Sequence, residues 1–323
     1  MAASRNKPST DLPKRVGAFL ATRLDPEGRL SVGLSGGCDS VVLLHALVAL
    51  GLGKRLQAIH IHHGLSPNAD AWADFCADYC RRLGVSLVTR RVAVDTAAGL
   101  GLEAAARNAR YAAFGELAGD TLLLAHHRGD QAETVLFNLL RGAGVTGAAG
   151  IPAERRFGQH RLLRPLLDVS RGEIEAYARH VGLAWIDDES NGDTAITRNF
   201  LRHQTLVALG QRFPAAESAL ALAASHFAEA GALLDELAEL DWQRVAEGST
   251  ARLGDLRQLS VPRVKNLLRH RLRLLGWQVP VASRLDEFVR QVVTAGPDRH
   301  PELVLPDGKM RVAQRRLHWL SVK

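Results

Sequence analysis

Short apolar runs alternate with longer amphipathic segments through the first half of the chain. Runs typical of buried strands lie at 29–34, 55–61, 85–92 and 121–125, and the segments after them, up to Leu50 and at 66–82, 102–117 and 131–140, have helical periodicity. Ser66 and Pro67 predict the start of the second helix, because serine caps a helix and proline suits its first turn. This order predicts an α/β fold, a Rossmann-like parallel sheet with helices on both faces.

The second half of the chain has a mainly helical pattern. A segment rich in glycine and alanine at 142–151 predicts a mobile loop, and helices are expected at 170–181, 198–209 and, as one long stretch, 214–247. Two further helices, 262–275 and 283–294, precede short strands around 302–320. The pattern therefore predicts a helical connector followed by a small α+β domain at the C-terminus.

Charge divides the chain more sharply than hydropathy does. Residues 216–251 contain seven acidic residues and one arginine, whereas residues 252–323 contain 15 basic and six acidic residues. We therefore expect a first domain at 1–213, an acidic connecting helix at 214–251 and a small basic domain at 252–323.

Only six of the 41 basic residues are lysines, and the net charge is +7. Arginine binds phosphate and stacks on bases, so the bias fits a nucleic-acid partner, but a general preference for arginine gives the same composition.

Composition also excludes several classes of protein. The three cysteines, Cys38, Cys76 and Cys80, cannot form a disulfide framework, and they favour a reduced, cytoplasmic protein. The N-terminus lacks the apolar core of a signal peptide, and no apolar segment is long enough to span a bilayer. Secreted and membrane classes are therefore not expected.

The most informative motif is SGGCDS, which begins at Ser35 between the first predicted strand and the first predicted helix. Gly36 and Gly37 let the backbone turn sharply, and the amides of the loop and the first helical turn converge as an anion site. The hydroxyls of Ser35 and Ser40 add hydrogen-bond donors for phosphate oxygens. Asp39 suits an anion site if it holds Mg²⁺, which bridges carboxylate and phosphates. The alternative is a glycine-rich turn with a capping aspartate.

This hexapeptide is the pyrophosphate-loop signature, and the chain therefore resembles the N-type ATP pyrophosphatase superfamily. The motifs of Walker nucleotidases and of dinucleotide sites, GxxxxGK[ST] and GxGxxG, are absent from the sequence. The resemblance implies the PP-loop ATPase fold for the first domain. It also implies cleavage of ATP between the α and β phosphates, with transfer of AMP to an oxygen of the substrate.

Four further blocks resemble the tRNA(Ile)-lysidine synthetase family. They are HIHHGLSPNADAWADFC at 60–76, EAAARNARY at 103–111, AHHRGDQAETVLFNLLRGAGVTGAAGI at 125–151 and RPLLDVSRGEIEAYARHVGLAWIDDESNGDTAITRNFLR at 164–202. The resemblance is dense from about residue 30 to 205 and loose in the tail, and the length fits the short form of the family. The sequence departs from the family pattern at Gly129, where the family has the first of two acids, and at His62, where it usually has asparagine.

The resemblance implies a ligase that attaches free L-lysine to the wobble cytidine of the isoleucine tRNA with a CAU anticodon. ATP adenylates the exocyclic oxygen at position 2 of the cytosine, the ε-amine of lysine attacks that carbon, and AMP leaves. ATP and Mg²⁺ are the expected cofactors, the tRNA and L-lysine are the expected partners, and a homodimer is expected.

The acidic residues of these motifs are the catalytic candidates. Asp39 and Asp130 are candidate Mg²⁺ ligands, and Glu133 lies on the same helix face as Asp130. Either Glu133 or Asp130 is a candidate to accept a proton from the lysine amine or to anchor its ammonium form. Expected ATP contacts are Ser35, Gly36, Gly37, Cys38, Asp39, Ser40, His60, His63 and Arg107. Expected contacts to lysine and cytidine are Glu103, Arg107, Arg110, His126 and His127, although the first three also fit a solvated ion-pair face.

Arginines are the candidates for tRNA phosphate contacts, because such contacts give affinity without reading sequence. They are Arg141, Arg198 and Arg202, together with Arg263, Arg269, Arg273 and Arg284 of the basic domain, which form either a binding stripe or a solvated face.

A tRNA thiolase of the same superfamily is one alternative, but the reactive CxxC pair that it often uses is absent. The histidines at the strand ends also suggest a zinc site, but the sequence lacks the CxxC and HExxH spacings typical of zinc sites. A non-catalytic RNA-binding protein on the nucleotide fold is the other alternative.

Overall fold

The computed structural model describes residues 11–94, 101–187, 197–296 and 298–322, in two units divided at His226 and Phe227. The helices of the first unit are α1 Leu12–Ala21, α2 Cys38–Ala49, α3 Ala69–Leu83, α4 Leu102–Leu117, α5 Arg128–Leu140, α6 Val145–Ala148, α7 Arg171–His180, α8 Thr197–Phe200 and α9 Leu206–Arg212. A π-helical turn, Leu201–Thr205, joins the last two. Its strands are β1 Leu30–Gly33, β2 Leu56–His62, β3 Ser86–Arg91, β4 Thr121–Leu123, β5 Glu154–Phe157 and β6 His160–Leu163.

These six strands form one sheet in the order β3-β2-β1-β4-β6-β5, in which only β5 runs antiparallel to its neighbour. The chain moves outward from β1 to β3 and then returns to the other side of β1 with β4. Ligands of open parallel sheets bind at such a reversal, beyond the carboxyl ends of the strands. The loop that starts at Ser35 follows β1, and His126 and His127 follow β4, so both motifs lie at this place.

Helices cover both faces of the sheet. Adjacent residues of β4 enter different cores: Leu123 packs in a cluster with α1, α2, α3 and α7, whereas Leu122 packs with Phe114 of α4. Leu163 and Leu162 of β6 divide in the same way. Side chains alternate along a strand, so uninterrupted apolar runs are what a sheet buried on both faces requires. The predicted fold class is confirmed.

Local details differ from the sequence expectations for identifiable reasons. The second predicted helix begins at Ala69 rather than at Ser66. The Asn68 N–H donates to Ser66 Oγ and the Ala69 N–H donates to the Ser66 carbonyl, so these residues form a separate turn before the helix. The 142–151 segment contains α6 and is tied to α5, since Asn138 donates to the Gly147 carbonyl at 2.7 Å. The hairpin of β5 and β6 has a charged, exposed outer strand, and its pattern predicts no strand.

The second unit contains helices and an antiparallel sheet. Helix α10, Ala216–Val245, begins before the division and continues into this unit, where α11 Leu253–Leu256, α12 Val261–Leu274 and α13 Ala282–Thr294 follow. The strands are β7 Ala246–Glu247, β8 Thr250–Arg252, β9 Glu302–Leu305, β10 Gly308–Ala313 and β11 Arg316–Ser321, in the order β7-β8-β11-β10-β9. The two predicted helices and the late strands are confirmed. The division at 213 and 251 stays a prediction.

Acidic residues of α10 pair with basic residues of α12. Arg263 forms an ion pair with the buried Asp241, and the ring of His270 lies between Asp235 and Glu239, at 3.0 and 2.6 Å. Arg273 also pairs with Asp235. Two of the four arginines proposed as a stripe therefore have acidic partners within their own unit. In the part of the chain that the structure describes, no helix is long and apolar enough to cross a membrane.

Candidate functional site

The loop after β1 is closed by its own hydroxyl groups. Ser40 Oγ donates to the Gly37 carbonyl at 2.9 Å and lies 3.1 Å from Ser35 Oγ. The N–H groups of Ser35 and Gly37 donate to the hydroxyls of Ser40 and Ser35 at 3.2 and 3.3 Å. Gly37 is the N-cap of α2, so the free amides of its first turn begin at this loop. The result is a closed turn at a helix N-terminus, and anion binding there stays a prediction of the motif.

Gly36 is required by both conformation and space. Its φ is +91°, and its carbonyl accepts a hydrogen bond from the Ile186 N–H at 2.9 Å. A Cβ at this position would lie 2.6 Å from Ile186 Cδ1. The segment after α7 therefore presses directly against the loop, and only glycine fits between them.

We expect Gly36→Ala to raise the KM for ATP by about tenfold or more. A positive φ costs an alanine about 1–2 kcal/mol, and the added methyl group also displaces Ile186 and the loop. Steady-state kinetics with varied ATP measures the effect. Gly210→Ala is the control, because Gly210 lies in α9 and an added methyl group there would have no other atom within 4 Å. Equal KM values in both variants would contradict the role given to Gly36.

Asp39 lies in the first turn of α2, close to His127, which follows β4, and to Arg171, the first residue of α7. Arg171 Nη1 lies 2.6 Å from Asp39 Oδ2, and His127 Nε2 lies 4.0 Å from the same oxygen. The other oxygen, Oδ1, is buried without a hydrogen-bond partner among the described residues. Burial raises the pKa of this carboxyl, and the nearby Asp130 raises it further against the charges of His127 and Arg171. A buried carboxylate oxygen without a partner marks a place for a ligand.

His127 and Asp130 form the N-terminal cap of α5. His127 Nδ1 accepts from the Gly129 N–H at 3.0 Å, and Asp130 Oδ2 accepts from the His127 N–H at 2.9 Å. The Nε2 atom of His127 then lies 3.7 Å from Asp130 Oδ2, between this carboxylate and that of Asp39. Burial opposes ionisation of Asp130, but His127 and Arg202 hold its pKa below the usual range. The capping geometry thus brings two carboxylates within 4.0 Å of one imidazole nitrogen.

Glu133 is the most deeply buried carboxylate of the site, with 1% of its side chain exposed. Arg198 Nη1 lies 3.1 Å from Oε1, and Arg202 Nη2 lies 2.8 Å from Oε2. Arg202 also pairs with Asp130 at 3.0 Å, and Arg198 with Glu103 at 3.1 Å. Burial raises the pKa of Glu133 although both arginines lower it. These side chains form one connected network of acids and arginines.

The oxygen donors at this place fit a hard divalent cation. Asp39 has a free buried oxygen, and Asp130 lies near the same nitrogen of His127 as Asp39 does. Mg²⁺ in nucleotide sites uses one or two carboxylates together with phosphates and water, so two aspartates are enough. No cluster of three or more His, Cys, Asp or Glu side chains able to hold a metal occurs among the described residues.

The strand-end histidines have different surroundings. His60 is buried, with Nδ1 2.9 Å from the Leu34 carbonyl, so its ring supports the start of the loop. His63 accepts from Arg110 Nε at 3.3 Å, and burial together with Arg110 lowers its pKa to about 4. His126 Nδ1 lies 3.2 Å from the buried Arg164 Nε, which can only donate. Burial is the main cause that lowers the pKa of His126 to about 3.

The three charged residues of α4 that are expected to contact lysine and cytidine have different neighbours in the structure. Glu103 pairs with Arg198, Arg110 contacts His63, and the guanidinium of Arg107 lies 5.0 Å from the Tyr111 ring centroid. The structure therefore connects Glu103 to the Glu133 network. It connects the two arginines to the end of β2 and to Tyr111 instead.

Gly129 replaces an acid of the family pattern, and the structure accounts for the exchange. A Cβ at 129 would lie 2.8 Å from His127 Cε1, so a larger residue would displace the capping ring. Glu217 Oε2 lies 3.9 Å from the same Cβ position, and Glu217 Oε1 pairs with Arg128 Nε at 2.9 Å. A carboxylate from α10 therefore occupies the space beside the missing one.

Two family models match the chain. A model described as a PP-loop domain matches residues 8–209, and one described as a TilS substrate binding domain matches residues 252–318. The tRNA(Ile)-lysidine synthase of Alkalilimnicola ehrlichii is 45% identical over 95% of this chain and 70% of its own length. The chain belongs to the tRNA(Ile)-lysidine synthase family. A second lysidine synthase, from Pseudomonas fluorescens, is 44% identical over 98% of this chain and 73% of its own length.

Among solved structures, a U34-tRNA thiolase from Methanococcus maripaludis with its [4Fe-4S] cluster resembles this chain with a TM-score of 0.55. It is 17% identical and covers 68% of this chain and 79% of its own. At that identity the likeness shows the shared fold alone. The family models and the curated relatives confirm the predicted family, and the first unit has the PP-loop fold.

Sequence reasoning places the loop, Asp39, Asp130, His127 and Glu133 together, and the structure brings them together. It assigns Arg198 and Arg202 to tRNA, whereas both lie on the Glu133 carboxylate; a phosphate contact by them stays a prediction. The guanidinium of Arg141 lies 5.1 Å from the centroid of the Phe137 ring, and that of Arg198 lies 5.7 Å from the same ring. Sequence reasoning misses four contributors. They are Arg128, Arg164, Arg171 and Glu217, and only the Ser170 cap immediately before Arg171 gives a local signal.

Proposed function

We propose that this protein attaches L-lysine to the wobble cytidine of the isoleucine tRNA with a CAU anticodon, through an adenylated cytidine, with release of AMP and pyrophosphate. Family membership supports the reaction class: the chain is a ligase that forms a C–N bond and uses ATP. The observation that carries the assignment of the site is the buried Glu133 network directly beside the phosphate loop. The phosphate-loop motif and the buried acids thus lie side by side.

Activation of the base depends on the loop after β1. Its amides and the hydroxyls of Ser35 and Ser40 bind the phosphates of ATP and orient the α phosphate toward the cytosine oxygen. Asp39 and Asp130 would hold Mg²⁺, which neutralises charge on the pyrophosphate leaving group when it is bound. Arg171 orients the Asp39 carboxylate at 2.6 Å, so that its second oxygen faces the ligand.

The acidic pocket suits the second substrate. Free lysine enters as an ammonium ion with a pKa of about 10.4, so it must lose a proton before its nitrogen can attack. Glu133 and Asp130 provide carboxylates for that ammonium group, and Glu133 is the candidate base because burial raises its pKa. Arg198 and Arg202 keep both carboxylates in place between turnovers. His126 and His127 flank the entry of the cytosine ring.

The isoleucine tRNA is the proposed macromolecular partner. We place tRNA phosphates along Arg141 and the exposed basic residues of the second unit, which matches the TilS substrate binding domain. A reduced, cytoplasmic protein is supported by its three free, buried cysteines. Homodimer formation stays a prediction of the sequence.

The chemistry of the cysteines does not favour a thiolase. Sulfur transfer needs a thiolate, and an accessible one. All three thiols are buried, and burial raises the pKa values of Cys38 and Cys76 to about 12 and that of Cys80 to about 11. These thiols stay protonated at neutral pH, where they act as small apolar side chains.

Radiolabelled lysine tests the proposed function directly. With ATP and the CAU isoleucine tRNA, we expect label to enter the tRNA and AMP to form in equal amount. Digestion of the tRNA should place the label in one modified nucleoside. The matched control is the same tRNA with uridine in place of the wobble cytidine, which should take up no lysine. AMP formation that does not depend on lysine addition, without label in the tRNA, would refute the ligase assignment.

A further inference from the structure

The guanidiniums of Arg107 and Arg155 lie over the ring of Tyr111, and those of Arg110 and Arg164 lie close by; we call these four arginines the Tyr111 cluster. The guanidinium carbons of Arg107 and Arg155 lie 5.0 and 5.3 Å from the Tyr111 ring centroid. Arg164 Nε lies 3.2 Å from Nδ1 of His126, which follows β4. The cluster therefore extends from the end of β4 to the edge strand β5.

The charge of the Tyr111 cluster is not balanced by acids. Within the described residues, none of the four guanidiniums forms an ion pair with a carboxylate. The arginines of the neighbouring network behave differently, since each of them has a carboxylate partner. They are Arg128, Arg171, Arg198 and Arg202.

Arg164 makes this imbalance costly, because it is only 2% exposed. Its hydrogen bonds go to neutral acceptors, the Pro152 carbonyl at 2.5 Å and His126 Nδ1 at 3.2 Å. Burial lowers the pKa of Arg164, and the charges of Arg155 and Arg107 lower it further. A buried cation among like charges is stabilised when an anion binds beside it. Arg107 and Arg155 are exposed, so an anion from solvent can reach the cluster.

We propose that the Tyr111 cluster binds a phosphodiester group of the RNA backbone beside the nucleotide that reacts. This inference rests on the proposed function and extends it to Arg155 and Arg164, to which the sequence analysis gives no role. The loop after β1 already supplies the amides for the phosphates of ATP. A single lysine carboxylate needs one bidentate guanidinium, whereas two guanidiniums over an aromatic ring, with two more close by, suit a polyanion with a base next to it.

The position of Arg155 supplies a matched pair of variants. On β5, Arg155 pairs with Leu162, a residue of the core that contains Phe114, whereas Arg156 pairs with Arg161. Neighbouring side chains of a strand point to opposite faces, so Arg155 and Arg156 differ in direction but not in charge or exposure. Both are exposed arginines, and neither substitution removes buried packing.

Salt dependence of tRNA binding tests the inference without catalysis. The dissociation constant of wild type, Arg155→Ala and Arg156→Ala for the CAU isoleucine tRNA is measured from low to high salt, in the absence of ATP and lysine. We expect the slope of log K against log salt to fall by about 0.7 in Arg155→Ala, the value for one lost phosphate contact on single-stranded RNA. Arg156→Ala should keep the wild-type slope, and Arg107→Ala should lose about the same amount as Arg155→Ala.

Three outcomes overturn the inference. The first is an unchanged slope in Arg155→Ala, and the second is an equal loss in Arg155→Ala and Arg156→Ala. The third is a raised KM for lysine at an unchanged slope, which would make the lysine carboxylate the ligand. Wild-type lysine incorporation, measured in parallel, tests the proposed function itself, so failure of that activity is distinct from failure of the cluster.

Discussion

Asp39→Asn should reduce AMP formation by about a hundredfold or more while tRNA binding stays close to wild type. The substitution keeps the size of the side chain but removes the charge that faces the phosphates. A metal ion and its ligands contribute several kcal/mol to stabilising a pyrophosphate leaving group, and each 1.4 kcal/mol is about tenfold in rate. The fold should tolerate the change, since Arg171 keeps its second partner, Glu175, at 3.0 Å.

The measurement separates adenylation from binding. Pyrophosphate release in single turnover reports adenylation, and filter retention of the tRNA reports binding. Asp78→Asn is the control, because Asp78 is an exposed aspartate on α3 that pairs with Arg81 at 2.8 Å. Pyrophosphate release at the wild-type rate in Asp39→Asn would remove the role assigned to this carboxylate.

Glu133→Gln should separate the two halves of the reaction. We expect transfer of lysine to fall by about a hundredfold, because a glutamine can neither take a proton from the amine nor offset its charge. Adenylation should fall much less, since Asp39 and the loop after β1 remain intact. Asp130 and Glu103 still pair with Arg202 and Arg198, so the two arginines keep acidic partners.

The ratio of the two products tests this prediction. In Glu133→Gln the early rate of pyrophosphate release should exceed the rate of lysine incorporation, whereas the two agree in wild type. Glu116→Gln is a suitable control, because Glu116 is an exposed acid of α4 that pairs with Arg90 at 3.2 Å. A proportional loss of both products in Glu133→Gln would show that Glu133 acts structurally or in adenylation.

Much of the catalytic unit could be predicted because its rules are local. Uninterrupted apolar runs separated by helical segments indicate a doubly covered parallel sheet, and Leu122 and Leu123 show the reason, since each enters a different core. The SGGCDS loop needs glycine at 36 for its positive φ, so its geometry is written in neighbouring residues. Asp130 and Glu133 share a helix face through spacing alone.

The remaining contacts join residues that are distant in sequence. Arg171 meets Asp39 across 132 positions, and Arg128 meets Glu217 across 89. The sequence does not show whether an arginine in a helical segment faces solvent or a buried acid. For this reason the sequence alone assigns Arg198 and Arg202 to phosphate contacts. The sequence predicts neither strand of the β5–β6 hairpin. Strand β5 is an exposed edge with charged residues, so it carries little of the apolar signal of a strand, and β6 has only four residues.

Helix α10 has a practical consequence for dissecting the enzyme. A fragment that stopped at residue 213, where the charge pattern changes, would lose Glu217 and with it the 2.9 Å partner of Arg128 at the head of α5. A catalytic fragment therefore needs the first turns of α10 and is better cut after His226, where the two units separate. Truncation series that ignore this overlap would mistake a damaged cleft for a dependence on the C-terminal unit.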